Sequence, residues 1–172
     1  MKVIGIDPGT HPAVCVIDVQ TMKILELIGM KKVTMIDVKE LIEKLFPEKE
    51  ELFWFVEQQF GKVWKGKVIV NDLITQVENR CKWSDTADLL GYPFEIVYPN
   101  TWRSVTFVGA GKHKSAEWKT IAKEWAMRTL TEQGRTDRLS EHKAEAMGIA
   151  WYGALKLKSV RKGTRRKTRK KT

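Results

Sequence analysis

Val3-Ile4-Gly5-Ile6-Asp7-Pro8-Gly9-Thr10 lies at the start of the chain. An apolar run leads straight into an acid, and a proline and a glycine stop the run at once. Val3, Ile4 and Ile6, with no charge between them, predict a strand buried on both faces. Pro8 donates no ladder hydrogen bond and Gly9 permits positive φ, so the strand ends in a tight turn. Asp7 is thereby held at the end of a rigid element, where a buried carboxylate is costly unless something compensates it. Two compensations look alike at this level: a cap on the Gly9 or Thr10 amide, and ligation of a cation.

Beyond this turn, Ala13 to Asp18 predicts a second strand and Lys23 to Ile28 a third, an antiparallel meander with short links. Val38, Leu41, Ile42 and Leu45 have helical spacing, with charges on the other face, and Pro47 ends that helix. Leu52-Phe53-Trp54-Phe55-Val56-Glu57 then repeats the design of the first strand, an apolar run closed by one acid. A helix between two strands marks a crossover, so this strand is expected beside the first and parallel to it, bringing Glu57 close to Asp7. Gln58 to Lys67 reads as a polar loop with Phe60 and Trp64 in it. Ile69 to Leu90 reads as a long helix with Leu73, Ile74, Val77 and Cys81 on its apolar face, and Trp83 and Leu89 as further candidates for it. A fifth strand over 92–98, a short helix over 100–107, a glycine-bearing loop to His113 and a helix over 114–130 follow. Gln133 to Arg138 is a charged, mobile-looking loop, and Ser140 N-caps a last helix from Glu141 to about Leu157. The order predicts an α/β layer fold with a mixed sheet in one domain, residues 1–155.

Charge sets the partner class. The chain has 31 Lys and Arg against 21 Asp and Glu, net +10. Residues 156–172 contain ten of those bases and no acid, so the rest of the chain balances at 21 bases against 21 acids. A basic tail of that composition is expected to be disordered alone and to act as an electrostatic arm for a polyanion, above all nucleic acid. Apolar residues at 42% suit a globular core, and no apolar run reaches the ~20 residues of a membrane span. Without a basic-then-apolar leader, an intracellular protein is expected. Cys15 and Cys81 read as reduced core residues, and three histidines offer no zinc-site spacing.

The last predicted helix supplies a third acid. His142 and Glu145, at i and i+3, project from one face near its start. Ala146, Gly148 and Ala150 are small enough to let this helix approach the sheet closely, which presses Glu145 toward the strand ends.

These three segments, Val-Ile-Gly-Ile-Asp-Pro-Gly-Thr at 3–10, Phe-Val-Glu-Gln-Gln-Phe at 55–60 and His-Lys-Ala-Glu-Ala-Met-Gly-Ile-Ala at 142–150, resemble the RuvC family of Holliday-junction resolvases. That family belongs to the ribonuclease H-like superfamily. The resemblance implies a five-stranded mixed sheet flanked by helices, a homodimer, and metal-dependent paired nicking of four-way DNA junctions with two Mg²⁺ or Mn²⁺ ions. It assigns Asp7, Glu57 and Glu145 as metal-binding catalytic acids and puts His142 where the family commonly has a fourth acid. Phe60 falls at the position of a family aromatic that stacks on unpaired bases at the crossover. Lys62 and Lys65 in the same loop, Lys112 and Lys114 in the glycine-bearing loop, and Arg165, Arg166 and Lys167 in the tail are the other expected DNA contacts. Hard oxygen ligands suit Mg²⁺ or Mn²⁺, and no Ser/His/Asp or reactive-Cys arrangement offers a protein nucleophile. A sugar-kinase or actin-like ATPase shares the opening motif, but it needs a second phosphate loop and roughly twice the length. A nuclease for flaps or other branched DNA and a non-catalytic branched-DNA-binding protein are the remaining alternatives.

Overall fold

The computed structural model describes the chain except residues 49, 60–62, 65–66, 110, 112 and 169–172; for 63–64, 67–68, 115–116 and 161–168 it describes the backbone alone. Strands β1 (Lys2–Asp7), β2 (Ala13–Asp18) and β3 (Ile24–Gly29) form the predicted antiparallel meander. Helix α1 (Met35–Leu45) crosses over to β4 (Leu52–Glu57), which runs parallel to β1. A small hairpin, β5 (Val63–Trp64) and β6 (Lys67–Val68), occupies part of the expected polar loop. Helix α2 (Val70–Leu89) leads to β7 (Phe94–Val97), parallel to β4. Helices α3 (Pro99–Thr106), α4 (Ser115–Glu132) and α5 (Glu141–Thr168) complete the chain. The sheet order is β3-β2-β1-β4-β7, a five-stranded mixed sheet as expected.

Both faces of the sheet are covered, so its central strands carry uninterrupted apolar runs. Ile4, Ile6, Trp54 and Val56 pack with Val38 and Ile42 of α1 and Trp83 and Ala87 of α2. Val3, Phe55 and Val97 face the other layer, with Trp102 of α3, Ala122 and Ala126 of α4, and Ala146, Met147 and Ala150 of α5. Side chains alternate along a strand, so Asp7 and Glu57 fall on this second side, under α5.

The close approach of α5 is built from small residues, as expected. A Cβ added to Gly5 would lie 2.2 Å from the Ala150 backbone nitrogen and 2.6 Å from the Ala146 oxygen. Gly148 leaves the same kind of room for the Trp102 ring, and Gly153 for Phe55.

Three expectations meet a different structure. Only the C-terminal part of α2 is buried, at Trp83 and Ala87, whereas Val70, Leu73, Ile74 and Val77 remain exposed. The first half of the helix therefore carries an apolar stripe with nothing against it among the described residues. The charged 133–138 loop is tied down rather than loose. The Gln133 side-chain amide accepts from the Ile24 N–H (2.9 Å) and donates to the Met22 carbonyl (3.1 Å), and Arg135 donates to the Ile24 carbonyl (2.7 Å). These bonds satisfy groups on the outer edge of β3. Finally, α5 continues through the start of the basic segment. Lys156 pairs with Glu95 at 2.6 Å and Lys158 bonds the Gln20 carbonyl, so these two bases belong to the folded body. Cys15 and Cys81 are both free thiols. Among the described residues, no helix is long and apolar enough to cross a membrane.

Candidate metal centre

Parallel pairing of β1 with β4 sets Ile6 opposite Val56, so the next residue of each strand delivers a carboxylate to the same end of the sheet. Asp7, Glu57 and Glu145 are all buried, between 3% and 8% exposed. Asp7 shows that its two sequence readings are compatible. Its Oδ1 accepts from the Gly9 N–H at 3.2 Å, capping the turn, while Oδ2 lies 2.7 Å from His142 Nδ1. Ligand atoms of Asp7, His142 and Glu145 lie within 4.8 Å of one another.

Glu57 stands beside this trio, held by donors. Trp102 Nε1 donates to Oε1 at 2.8 Å and Gln59 Nε2 to Oε2 at 3.0 Å; the same Gln59 amide reaches Asp7 Oδ1 at 3.5 Å. Arg103 Nη2 donates to Glu145 Oε1 at 3.0 Å and lies 4.0 Å from Glu57 Oε1, so one guanidinium spans two acids. Its Nε is buried without a hydrogen-bond partner among the described residues.

The electrostatics follow from burying like charges together. Burial pushes the Glu57 carboxyl up to about 8, and the nearby Asp7 and Glu145 charges push the same way. Burial, then Asp7, raises Glu145, with Arg103 opposing. The hydrogen bond to Asp7 raises His142, which burial partly offsets.

Carboxylate oxygens with one imidazole, drawn into a space a single cation can bridge, fit a hard divalent metal such as Mg²⁺ or Mn²⁺. A cation there would offset the burial, and the mutual repulsion added to it, that keep Glu57 and Glu145 from ionising at their ordinary values. The other two candidates for a fourth group are engaged elsewhere. Glu141 pairs with Lys119 at 2.9 Å, and Asp137 takes both arms of Arg135 at 2.7 and 3.0 Å.

Of the expected DNA contacts, Lys114 is exposed at the N-cap of α4, its backbone N–H bonded to Glu117. Phe60, Lys62, Lys65 and Lys112 lie outside the described residues. Arg165, Arg166 and Lys167 fall in the part of α5 described by backbone alone.

Sequence reasoning missed Gln59, Trp102 and Arg103, which together bond the acids, and His11, whose ring stacks on His142 at 6.1 Å. Gln59 was within reach, as a second amide directly after Glu57-Gln58. Trp102 and Arg103 meet the acids only through the docking of α3 on α5, which no local pattern announces.

No protein-family model and no curated protein matches this sequence. Solved structures do. RuvC of Thermus thermophilus in complex with a Holliday junction substrate superposes with a TM-score of 0.65 at 20% identity, covering 92% of this chain and 96% of that one. A second structure of Thermus thermophilus RuvC gives 0.61 at 19% identity, with the same coverage. The yeast mitochondrial Holliday junction resolvase Ydc2 gives 0.54 at 15% identity, covering 90% of this chain and 80% of its own. At these identities the likeness speaks to the path of the chain, and on that ground this protein has the ribonuclease H-like fold of the RuvC-type resolvases.

Proposed function

We propose that this protein is a metal-dependent endodeoxyribonuclease that resolves four-way DNA junctions by paired nicking, acting as a homodimer. The observation that supports the reading is the convergence of Asp7, His142 and Glu145, with Glu57 beside them, at the carboxyl ends of β1 and β4, in a fold similar to that of solved Holliday-junction resolvases.

Asp7, Glu145 and His142 would hold the metal, with Glu57 completing the shell. Two such ions, when bound, would activate a water for attack on the scissile phosphate and offset the charge on the departing 3′ oxygen. The chain's own residues prepare the site. Trp102 and Gln59 fix the Glu57 carboxylate from two sides, and Arg103 fixes Glu145. The Asp7 contact at Nδ1 orients the His142 ring beside the acids and leaves Nε2 to take a proton. The unpaired apolar stripe of α2 supports a second copy as its cover, and the basic segment beyond Lys158 supports an arm on the phosphate backbone.

A purely structural DNA-binding role fits poorly, because buried carboxylates repel phosphate unless a cation sits with them. A labelled four-way junction, a flap and a plain duplex, each incubated with and without Mg²⁺ or Mn²⁺, test the reading. Symmetric metal-dependent nicks confined to the junction are expected. Preferential cutting of the flap assigns the alternative substrate, and binding without cutting in any metal removes the enzyme.

A further inference from the structure

Two clefts meet on the face of α3 that carries Arg103. The first, about 390 Å³, lies beside the acids, with Glu57, Gln59 and Arg103 in its wall. The second, about 450 Å³, is lined by Asn100, Ser104, Gly111, His113 and Trp118. Asn100 borders both, so they join into one groove running from Glu57 past the start of α3 to Trp118. Asn100, Arg103 and Ser104 are spaced i, i+3, i+4 and share one side of the helix. The Arg103 bond to Glu145 fixes that side toward the metal centre.

We infer that the second cleft is a base-reading pocket, which takes a nucleobase of the strand lying across the acids and so selects the sequence at which the junction is cut. The inference rests on the nuclease reading above. Each wall supplies one part of the recognition. Trp118 is a half-buried indole backed by the Phe107 ring at 6.1 Å, met edge-on by His113 at 5.2 Å and approached by the Arg103 guanidinium at 5.9 Å, an aromatic and cationic wall against which an unstacked base can lie. Asn100 is exposed and its amide makes no hydrogen bond among the described residues, so a donor and an acceptor stand side by side. That pair reads a base edge with two bonds, adenine being its usual partner. Ser104 Oγ donates to the Thr101 carbonyl and keeps its lone pairs for a base amino group. The volume suits a small planar ligand, and among the described residues no carboxylate lines this cleft, in contrast to the first.

The test is a four-way junction library randomised at the nucleotides flanking the exchange point, cut with Mn²⁺ by the full-length protein and by Asn100→Ala and Asn100→Asp, and sequenced. For the wild type, a preference of about tenfold or more for one base at one flanking position is expected, from the worth of one bidentate contact. Asn100→Ala should reduce that preference to below about twofold while cutting continues, and Asn100→Asp, which trades the donor for an acceptor, should move it to another base. A flat wild-type profile, or the same profile in all three proteins, overturns the inference. If the wild type cuts no junction at all, the nuclease reading falls, and the same library is then sorted by binding. A base preference that Asn100→Ala erases upholds the pocket, and uniform binding overturns it.

Discussion

Gly5→Ala is the perturbation whose cost the structure fixes most tightly. The new Cβ would sit 2.2 Å from the Ala150 nitrogen, 2.6 Å from the Ala150 Cα and 2.6 Å from the Ala146 oxygen. Real Cβ contacts do not fall below 3.0 Å, so α5 must retreat from β1 by at least about 0.8 Å. All three obstacles are backbone atoms, which no rotamer change moves aside. Overpacking of this kind costs about 1–3 kcal/mol. For a chain of this size that lowers the melting temperature by roughly 2–12 °C. The functional loss should be larger than the loss of stability. Asp7 rides on β1 while His142 and Glu145 ride on α5, so the retreat opens the 2.7 Å contact between Asp7 and His142 directly. A misplacement near 1 Å in a catalytic constellation can cost on the order of 10²-fold in rate. Thermal melting and junction cleavage at a temperature where the variant is fully folded measure the two effects separately. Adding Ala150→Gly should not restore either, because the atom struck is the main-chain nitrogen. Wild-type melting together with wild-type cleavage in Gly5→Ala would refute the packing argument.

Three further outcomes are expected. His142→Ala should cut cleavage severely with the fold intact, and His142→Asp should keep metal-dependent activity, because either side chain can meet Asp7 across a shared cation; normal cutting by His142→Ala removes that residue from the site. In chelator, stability should fall as pH rises. Glu57 is raised from 4.5 to about 8, so across that window the folded protein holds a proton that the unfolded chain releases, and Glu145 shifts in the same sense. The stabilisation from His142, raised above 6.5, is present in full below that value and is lost as pH climbs through its folded pKa. Thermal melts across this range check the sign, and a melting temperature that rises with pH in chelator contradicts it. If the proposed homodimer is built on the exposed stripe of α2, Leu73→Glu should leave the fold unchanged and turn a dimeric wild type into a monomer in sedimentation; a dimer that survives the change, or a monomeric wild type, contradicts that interface.

Much of this architecture is legible in the sequence because the decisive elements are local. Strands closed by a single acid, at Asp7 and at Glu57, show in order where β1 and β4 end, and the intervening helix makes them parallel neighbours. The Ala146, Gly148 and Ala150 series announces a helix lying close on the sheet, and Gly5 is its counterpart on the strand. Legibility ends where one side chain must serve two elements. Leu73, Ile74 and Val77 have the spacing of a buried helix face, and periodicity alone does not say whether the cover comes from the same chain. Gln133 and Arg135 look like polar loop residues until β3 supplies edge groups for them to bond. Trp102 reads as simple core, and only its indole N–H, aimed at Glu57, joins it to the site.

Asp7, His142 and Glu145, with Glu57 beside them, are proposed to share one divalent-metal site. Calorimetric titration of Mn²⁺ into the wild type, Asp7→Asn and Glu145→Gln, with no DNA present, tests it most directly. Saturable binding to the wild type is expected to strengthen as pH rises toward 8, since the metal displaces the proton on Glu57, and each variant should lose at least about tenfold in affinity. Equal affinity in all three proteins, or binding that weakens with rising pH, would contradict it.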